Sequence, residues 1–272
     1  MNKAQVRKQE AFDALLKTMD ELREHCPWDR QQTMESLRYM TLEEVFELTE
    51  AILHQDPEDI KKELGDVWLH IVFYSKIADE QGWFDIADVA ESLVAKLKYR
   101  HPHIYGDAQA KTTEAVKTNW EKLKLREGNK RVLSGLPEGL PSLVKAYRLQ
   151  EKAAGCGFEW DQTGPVIEKV REEVEEFLSL VHQKPNDQKA LEHELGDLFF
   201  SLVNLSRYLN INPVNALDRT NQKFVRRFNY IEDAARQQQR SLHDMSLAEM
   251  DALWDEAKRL ESQPFNQETK TK

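Results

Sequence analysis

Apolar residues recur along most of the chain at the three- and four-residue spacing that is typical of amphipathic helices. Few segments alternate apolar and polar residues with a period of two, so the pattern predicts an all-α fold. N-terminal helix signals precede several of these segments, namely Asp56-Pro57, Asp85, Asn212-Pro213 and the capping pair Ser246/Glu249. Helices are expected at about 45–53, 57–72, 85–100, 114–126, 141–154, 165–182, 187–209, 213–239 and 247–260.

A segment rich in glycine and proline, GNKRVLSGLPEGLP at 128–141, interrupts the helical pattern. Such a composition predicts a linker. The chain is therefore expected to contain an N-terminal helical unit at 1–127 and a C-terminal unit at 142–264. The last residues, 265–272, are expected to form a frayed tail.

Charge and composition narrow the classes of function. The net charge of −10 disfavours stable nucleic-acid binding, which needs a basic surface. No segment approaches the roughly 18 apolar residues of a membrane span, and the N-terminus lacks the apolar core of a signal peptide. Cys26 and Cys156 form no disulfide framework. We expect a cytoplasmic protein without a membrane partner.

One acidic pattern, EExxE followed by ExxD, occurs in both halves of the chain in the same order. The segments around it also repeat, with CPWDRQQT matching GFEWDQT and NWEKLK matching LWDEAK. The offsets between the copies differ by only a few positions, which predicts the duplication of one helical unit. The matching pairs are Glu43/Glu172, Glu47/Glu176, Glu63/Glu194, Asp66/Asp197, Lys96/Lys223 and Arg100/Arg227.

The repeated carboxylates have the spacing of a metal site. Residues three or four apart share a helix face, so Glu173 aligns with Glu176 and Glu194 aligns with Asp197. If the two helices run antiparallel, four carboxylates converge, and such oxygen ligands suit Mg²⁺ or Mn²⁺. The N-terminal unit carries the matching set Glu44, Glu47, Glu63 and Asp66.

The alternative is that these carboxylates line solvated helix faces. The duplication argues against it, as does the repulsion among clustered acidic side chains that no cation relieves. Gly65 and Gly196 each lie inside an apolar helix at a cost of ~1 kcal/mol relative to alanine, which predicts close packing there. A di-iron site would need Glu-x-x-His, but position 190 is Ala190, and His193 is expected to turn roughly 100° away from Glu194.

Positive charge follows on the next predicted helix, in NQKFVRRF. Lys223, Arg226 and Arg227 can hold phosphate oxygens, although an ordinary basic surface stripe would look the same. The copy at Lys96 and Arg100 favours the phosphate hypothesis.

Two tryptophans at matching places, Trp254 and Trp120, could stack on a nucleobase. A tryptophan on a helix is more often part of the core, so both interpretations stay open. His101 and His103 could contact phosphate, but a loop that ends a helix explains them more simply.

The acidic motif, together with HCPWD, YRHPHIYG, GFEWD and NQKFVRRF, resembles the all-α nucleoside triphosphate pyrophosphohydrolases over nearly the whole chain. The resemblance implies Mg²⁺-dependent hydrolysis of ribo- and deoxynucleoside triphosphates to the monophosphate and pyrophosphate. Water would attack the α-phosphorus. It also implies a homodimer in which helices of two subunits build the bundle.

The resemblance assigns roles to residues of the C-terminal unit, which it implies is the principal active one. Glu172 would orient or deprotonate the water, and Trp254 would pack against the nucleoside. The implied phosphate ligands are Lys169, Lys223 and Arg227, and the implied metal ligands are Glu173, Glu176, Glu194 and Asp197. The N-terminal copy keeps its carboxylates, so the motif alone does not make it inactive. Two other classes stay open, a nucleotide sensor without turnover and a structural helical module.

Overall fold

The structure, a computed structural model, describes residues 2–106, Thr112, Val116 and 131–261. These residues form helices and no strand, which confirms the all-α prediction. None of the described helices combines the length and hydropathy that a membrane crossing requires. The helices are α1 (Lys3–His25), α2 (Pro27–Gln31), α3 (Met34–His54), α4 (Pro57–Glu80), α5 (Ile86–Arg100), α6 (Pro102–Tyr105), α7 (Ser142–Ala154), α8 (Thr163–Gln183), α9 (Gln188–Tyr208), α10 (Pro213–Gln237) and α11 (Leu247–Glu261), with a short 3₁₀ turn at Leu242–Asp244.

The chain divides into two compact units, Met1–Val116 and Lys117–Lys272. In the first unit α3 packs along α4, which also contacts α1 and α5. In the second unit α8 packs along α9, while α7 contacts both α9 and α10, and α11 lies on α10. The described part of the expected linker, 131–141, consists of turns and bends. The helix expected at 114–126 and the tail at 265–272 lie outside the described residues.

Side-chain caps fix where several helices begin, as the sequence predicts. The Asp56 carboxylate accepts hydrogen bonds from the backbone N–H groups of Glu58 and Asp59. Asp85 forms a capping box with Asp88 at the start of α5. The Ser246 hydroxyl accepts from the Glu249 backbone N–H, and Glu249 accepts from Ser246 in return. Helix α1, which the pattern did not predict, is capped by Asn2.

The first unit has a continuous apolar core between α1, α3 and α4. Its buried members are Met19, Leu37, Val72, Phe73 and Ile77. The buried apolar side chains of the second unit include Val166, Val203 and Ile231, and both units leave large apolar side chains exposed. One groove on the surface of the second unit, with a volume of about 850 Å³, is lined by residues of α7, α9 and α10.

The sequence predicts close packing at two helical glycines. That prediction is wrong for the part of the chain that the structure describes. A Cβ built on Gly65 or Gly196 would meet nothing within 4 Å. Gly196 instead lines the exposed apolar groove of the second unit.

Candidate metal centre and adjoining cavity

Helices α8 and α9 bring three carboxylates of the second unit together. One oxygen each from Glu173, Glu194 and Asp197 lies within 4.8 Å of the others. Glu173 is only 5% exposed, whereas the Asp197 side chain is 49% exposed. The group therefore has a buried end and an end that faces solvent, as a site that admits a cation requires.

A lysine already neutralises part of this group. The Lys169 ammonium, one turn before the acidic motif on α8, lies 2.8 Å from Glu172 Oε1 and 2.7 Å from Glu173 Oε1. These hydrogen bonds raise the pKa of Lys169 above its ordinary value. Glu172 itself is exposed, so it stands at the solvent side of the centre beside Glu173.

The first unit repeats the arrangement between α3 and α4. One oxygen each from Glu44, Glu63 and Asp66 lies within 4.8 Å of the others. Here the buried member is Glu63, which is 6% exposed, and its Oε2 has no hydrogen-bond partner. Burial first, and then the charges of nearby carboxylates, raise the pKa of Glu44. A buried unpaired carboxylate oxygen among repelling neighbours fits a divalent cation.

The lysine that pairs with the buried carboxylate differs between the units. In the first unit Met40 stands at the sequence position that matches Lys169. Lys62 Nζ instead forms an ion pair with Glu63 Oε1 at 2.7 Å. The Lys62 side chain is 65% exposed and pairs with the residue next to it in sequence. The two units thus present similar carboxylates with different counter-charges.

Two of the carboxylates predicted as ligands, Glu176 and Glu47, lie outside these groups. Both are exposed, one turn beyond Glu173 and Glu44 on their helices. The sequence predicted that His193 turns away from Glu194. In the structure His193 contacts another member of the group, with Nδ1 3.1 Å from Asp197 Oδ2. The i, i+4 spacing of this pair was the signal in the sequence that could have predicted it.

Two of the predicted phosphate-binding residues on α10 pair with a carboxylate of α11. Arg227 Nε donates to Glu261 Oε2 at 2.8 Å, and Arg226 Nε lies 3.4 Å from the other oxygen of the same carboxylate. The hydrogen bond from the Arg227 guanidinium, more than any other contact, lowers the pKa of Glu261. Lys223 is half-buried on the same helix. Within the described chain the two arginines are held by Glu261 of α11.

Trp254 packs within this α10–α11 surface. Its ring centroid lies 5.2 Å from that of Phe224, and the Arg227 guanidinium lies 5.4 Å from its centroid. In the first unit Lys96 is exposed on α5 and Arg100 ends that helix. Trp120 lies outside the described residues. His101 Nδ1 is 2.6 Å from the Leu97 carbonyl oxygen, as a residue that ends a helix would be.

A cavity of about 520 Å³ adjoins the carboxylates of the second unit. Lys169, Glu173 and Asp197 line one part of it, and aromatic side chains line another. Gln150 and Arg207 bring polar groups to its wall. Ligand sites in proteins commonly enclose about 300–1,000 Å³. Sequence reasoning missed this cavity, although the GFEWD motif supplies two of its aromatic residues.

Paired acidic helices, a buried carboxylate in each unit and a lysine beside the centre define a class of protein. They describe an all-α protein with two acidic groups, each of which could hold a metal ion.

Comparison with known proteins identifies the family. The sequence model of the MazG nucleotide pyrophosphohydrolase domain matches residues 32–105 and 164–231. The chain therefore belongs to the MazG nucleotide pyrophosphohydrolase family, a family of hydrolases. The two matches include the acidic motif of each unit, which agrees with the duplication seen in the sequence.

Three relatives align over most of this chain. A protein of Escherichia coli (strain K12) named nucleoside triphosphate pyrophosphohydrolase is 38% identical over 257 residues, covering 92% of this chain and 98% of the relative. A Thermotoga maritima protein named nucleoside triphosphate pyrophosphohydrolase/pyrophosphatase MazG is 40% identical over 252 residues, covering 91% and 95%. The Bacillus subtilis protein YabN is 42% identical over 239 residues, covering 87% of this chain and 49% of YabN.

Proposed function

We propose that the second unit hydrolyses ribo- and deoxynucleoside triphosphates to the monophosphate and pyrophosphate, by attack of water on the α-phosphorus. The observation that carries the proposal is the convergence of Glu173, Glu194 and Asp197 beside a cavity of ligand size. These carboxylates would hold Mg²⁺, with Mn²⁺ as a substitute, and Glu176 would reach the ion from the next turn. A bound ion would neutralise the charge that develops on the phosphate oxygens.

The neighbouring side chains have roles that follow from their positions. Glu172 is exposed beside the buried Glu173, so its carboxylate would accept a proton from the attacking water. Lys169 would leave the carboxylates for the phosphates once a cation takes over their charge. A nucleotide-pool hydrolase of this kind would act in the cytoplasm.

A homodimer accounts for the residues that stand apart from the centre. The second unit exposes Phe199, which is 56% exposed, beside the open space at Gly196. A helix of a second copy would fill that groove and pack closely against Gly196, where no side chain is in the way. In such a dimer Lys223, Arg226, Arg227 and Trp254 would reach the substrate of the other copy.

The dimer has a direct test. Phe199→Glu should convert the protein to monomers in light scattering and lower its activity, because a charge would be buried in the shared groove. Leu247→Glu is the matched control, since Leu247 is 71% exposed on α11 and lies outside the groove. A protein that is monomeric before the substitution contradicts the dimer.

The reaction is tested by its products. The protein should release pyrophosphate from each triphosphate with Mg²⁺, and none after chelation. Glu173→Gln should abolish this release, because the substitution removes the buried negative charge that a cation needs. Orthophosphate in place of pyrophosphate would indicate cleavage at the γ-phosphate. Nucleotide binding without any product would favour the sensor.

A further inference from the structure

Part of the wall of the cavity beside the carboxylates comes from the segment that precedes α7 rather than from a helix. Leu133 lines this cavity together with Lys169, Glu173 and Asp197. It belongs to the 131–135 segment, which consists of a bend and turns. Since the cavity holds the substrate in the proposed function, the role inferred for this segment rests on that function.

The 131–135 segment alternates between half-buried and exposed residues. Val132 and Ser134 are half-buried, whereas Leu133 between them is 49% exposed. Because Leu133 is both accessible and part of the cavity wall, a ligand in the cavity can contact its side chain directly.

Lys152 fastens this segment to α7. Its Nζ donates hydrogen bonds to the Ser134 carbonyl oxygen at 2.9 Å and to the Val132 carbonyl oxygen at 3.3 Å. These two carbonyls belong to the residues on either side of Leu133, so the bonds hold the backbone on both sides of it. Hydrogen bonds from a charged donor are roughly twice as strong as those between neutral groups.

The Lys152 ammonium depends on these carbonyls in return. Lys152 is half-buried, and among the described residues no carboxylate pairs with it. A partly buried charge needs hydrogen-bond partners to offset its lost hydration. Release of the segment would take away the two acceptors that the structure gives it, which favours the docked position.

Local bonds shape the turn that carries Leu133. The backbone N–H and the hydroxyl of Ser134 both donate to the Arg131 carbonyl oxygen, at 3.1 Å and 2.6 Å. Gly135 follows with φ 78, a left-handed conformation in which other residues are strained. The turn and the bonds from Lys152 together determine where Leu133 lies.

We propose that Lys152 is a positioning residue for the substrate and acts through the 131–135 segment. It holds Leu133 against the bound nucleotide, and the nucleotide in turn keeps the segment docked on α7. Leu133 contacts no reacting atom in this role, so its contact is the same before and during the reaction. Such a contact lowers KM and leaves kcat unchanged. Trp254 keeps its role at the nucleoside.

The first test separates KM from kcat. Lys152→Met should raise the KM for ATP roughly tenfold, as the loss of one leucine contact does, and leave kcat unchanged. Lys152→Arg, which keeps donors for both carbonyls, should restore the KM. Lys184→Met, at an exposed lysine after α8, is the control. An unchanged KM in Lys152→Met, or a failure of Lys152→Arg to restore it, overturns the proposal.

The second test asks whether Lys152 acts through Leu133. Leu133→Ala keeps the bonds from Lys152, which end on backbone carbonyls, and should raise the KM as Lys152→Met does. The double variant should have no higher KM than either single variant, since both remove the same contact. Leu93→Ala is the control, at a leucine of the first unit that is 45% exposed. Effects that multiply in the double variant overturn the coupling.

The position of the segment is measured without turnover by trypsin cleavage after Arg131, which is exposed. Lys152→Met should be cleaved there faster than the wild-type protein. The analogue α,β-methylene-ATP, in which the proposed cleavage is blocked, should protect this bond in the wild-type protein and not in Lys152→Met. Equal cleavage of the wild-type protein with and without the analogue overturns the contact between nucleotide and segment.

The proposed reaction and the proposed role of Lys152 fail in different ways. If no triphosphate yields pyrophosphate but the analogue still protects the bond after Arg131, the reaction fails and the role of the segment stands. If pyrophosphate is released while Lys152→Met and Leu133→Ala behave as wild type, the reaction stands and the role of the segment fails.

Discussion

At the scale of the residue, the positive charge of Lys169 offsets part of the negative charge of the carboxylates in the second unit. Its ammonium contacts Glu172 and Glu173 at hydrogen-bond distance, on the same helix. A divalent ion that binds Glu173 must compete with this lysine, because both need the same carboxylate charge. In the first unit Met40 stands at the matching position, so that competition is absent from its α3.

Lys169→Met should therefore tighten Mn²⁺ binding to the nucleotide-free protein by roughly 5- to 30-fold, since removing a cation a few ångströms away changes the interaction by ~1–2 kcal/mol. The same substitution should weaken nucleotide binding. Arg171→Met is the control, since Arg171 pairs with Glu168 at 2.8 Å on the same helix. Calorimetric titration with Mn²⁺ and with nucleotide measures both effects, and weaker Mn²⁺ binding in Lys169→Met would refute the competition.

At the scale of the element, α1 is attached to α4 by an ion pair as well as by the apolar core. Arg23 Nε donates to Glu80 Oε1 at 3.1 Å, and the Arg23 side chain is 10% exposed. The Arg23 guanidinium lies 5.6 Å from the centroid of the Phe73 ring, within that core. This hydrogen bond, more than any other contact, holds the pKa of Glu80 below its ordinary value of 4.5.

The lowered pKa predicts how stability depends on pH. Because the folded-state pKa of Glu80 lies below the unfolded one, its carboxylate stabilises the protein above about pH 4.5 and loses that effect as the pH falls through the folded-state value. Glu80→Gln should be less stable than wild type at pH 7, with the difference in melting temperature disappearing in acid.

Glu24→Gln is the control for this experiment, since the Glu24 side chain is 75% exposed beside Arg23 in sequence. Thermal unfolding of the three proteins at pH 7 and at pH 3 measures the effect. A difference between Glu80→Gln and wild type that stays constant from pH 7 to pH 3 would contradict the assigned role of the ion pair.

At the scale of the whole molecule, two copies of one helical unit have kept their carboxylates and changed their surroundings. The first unit places a polar network beside its centre, in which Thr41 Oγ1 lies 2.9 Å from His70 Nδ1 and 2.6 Å from the Tyr74 hydroxyl. Burial lowers the pKa of His70. The matching positions of the second unit hold valine, serine and leucine. The units are therefore expected to differ in substrate fit more than in metal binding.

Glu173→Ala or Asp197→Ala should remove most of the activity, and Glu44→Ala should remove less. The reason is that the ligand-sized cavity with Lys169 on its wall lies beside the carboxylates of the second unit. Pyrophosphate release by the three variants, together with Mn²⁺ stoichiometry, measures how much of the activity each unit contributes. Equal losses from both sets of substitutions would refute a dominant second unit.

The sequence by itself determined what depends on neighbours along the chain. Helix starts follow from local caps such as Asp56 and Asp85, and the helical class follows from apolar periodicity. The spacing of Glu194 and Asp197 placed them on one face before any tertiary contact was known. The duplication was visible in the sequence because both copies keep the same residues in the acidic motif. Helix α1 escaped prediction, although Asn2 is a good cap in the sequence.

Only the tertiary structure decided which of these side chains are buried together. Glu173 and Glu63 occupy different places in the repeat, yet each is the buried carboxylate of its unit, because burial depends on how the second helix packs. The cavity joins Gln150, Phe158 and Arg207 from separate segments, and the unpaired atoms of Gln150 and Arg207 result from those long-range contacts. Periodicity along a helix carries no information about contacts between residues so far apart in the chain.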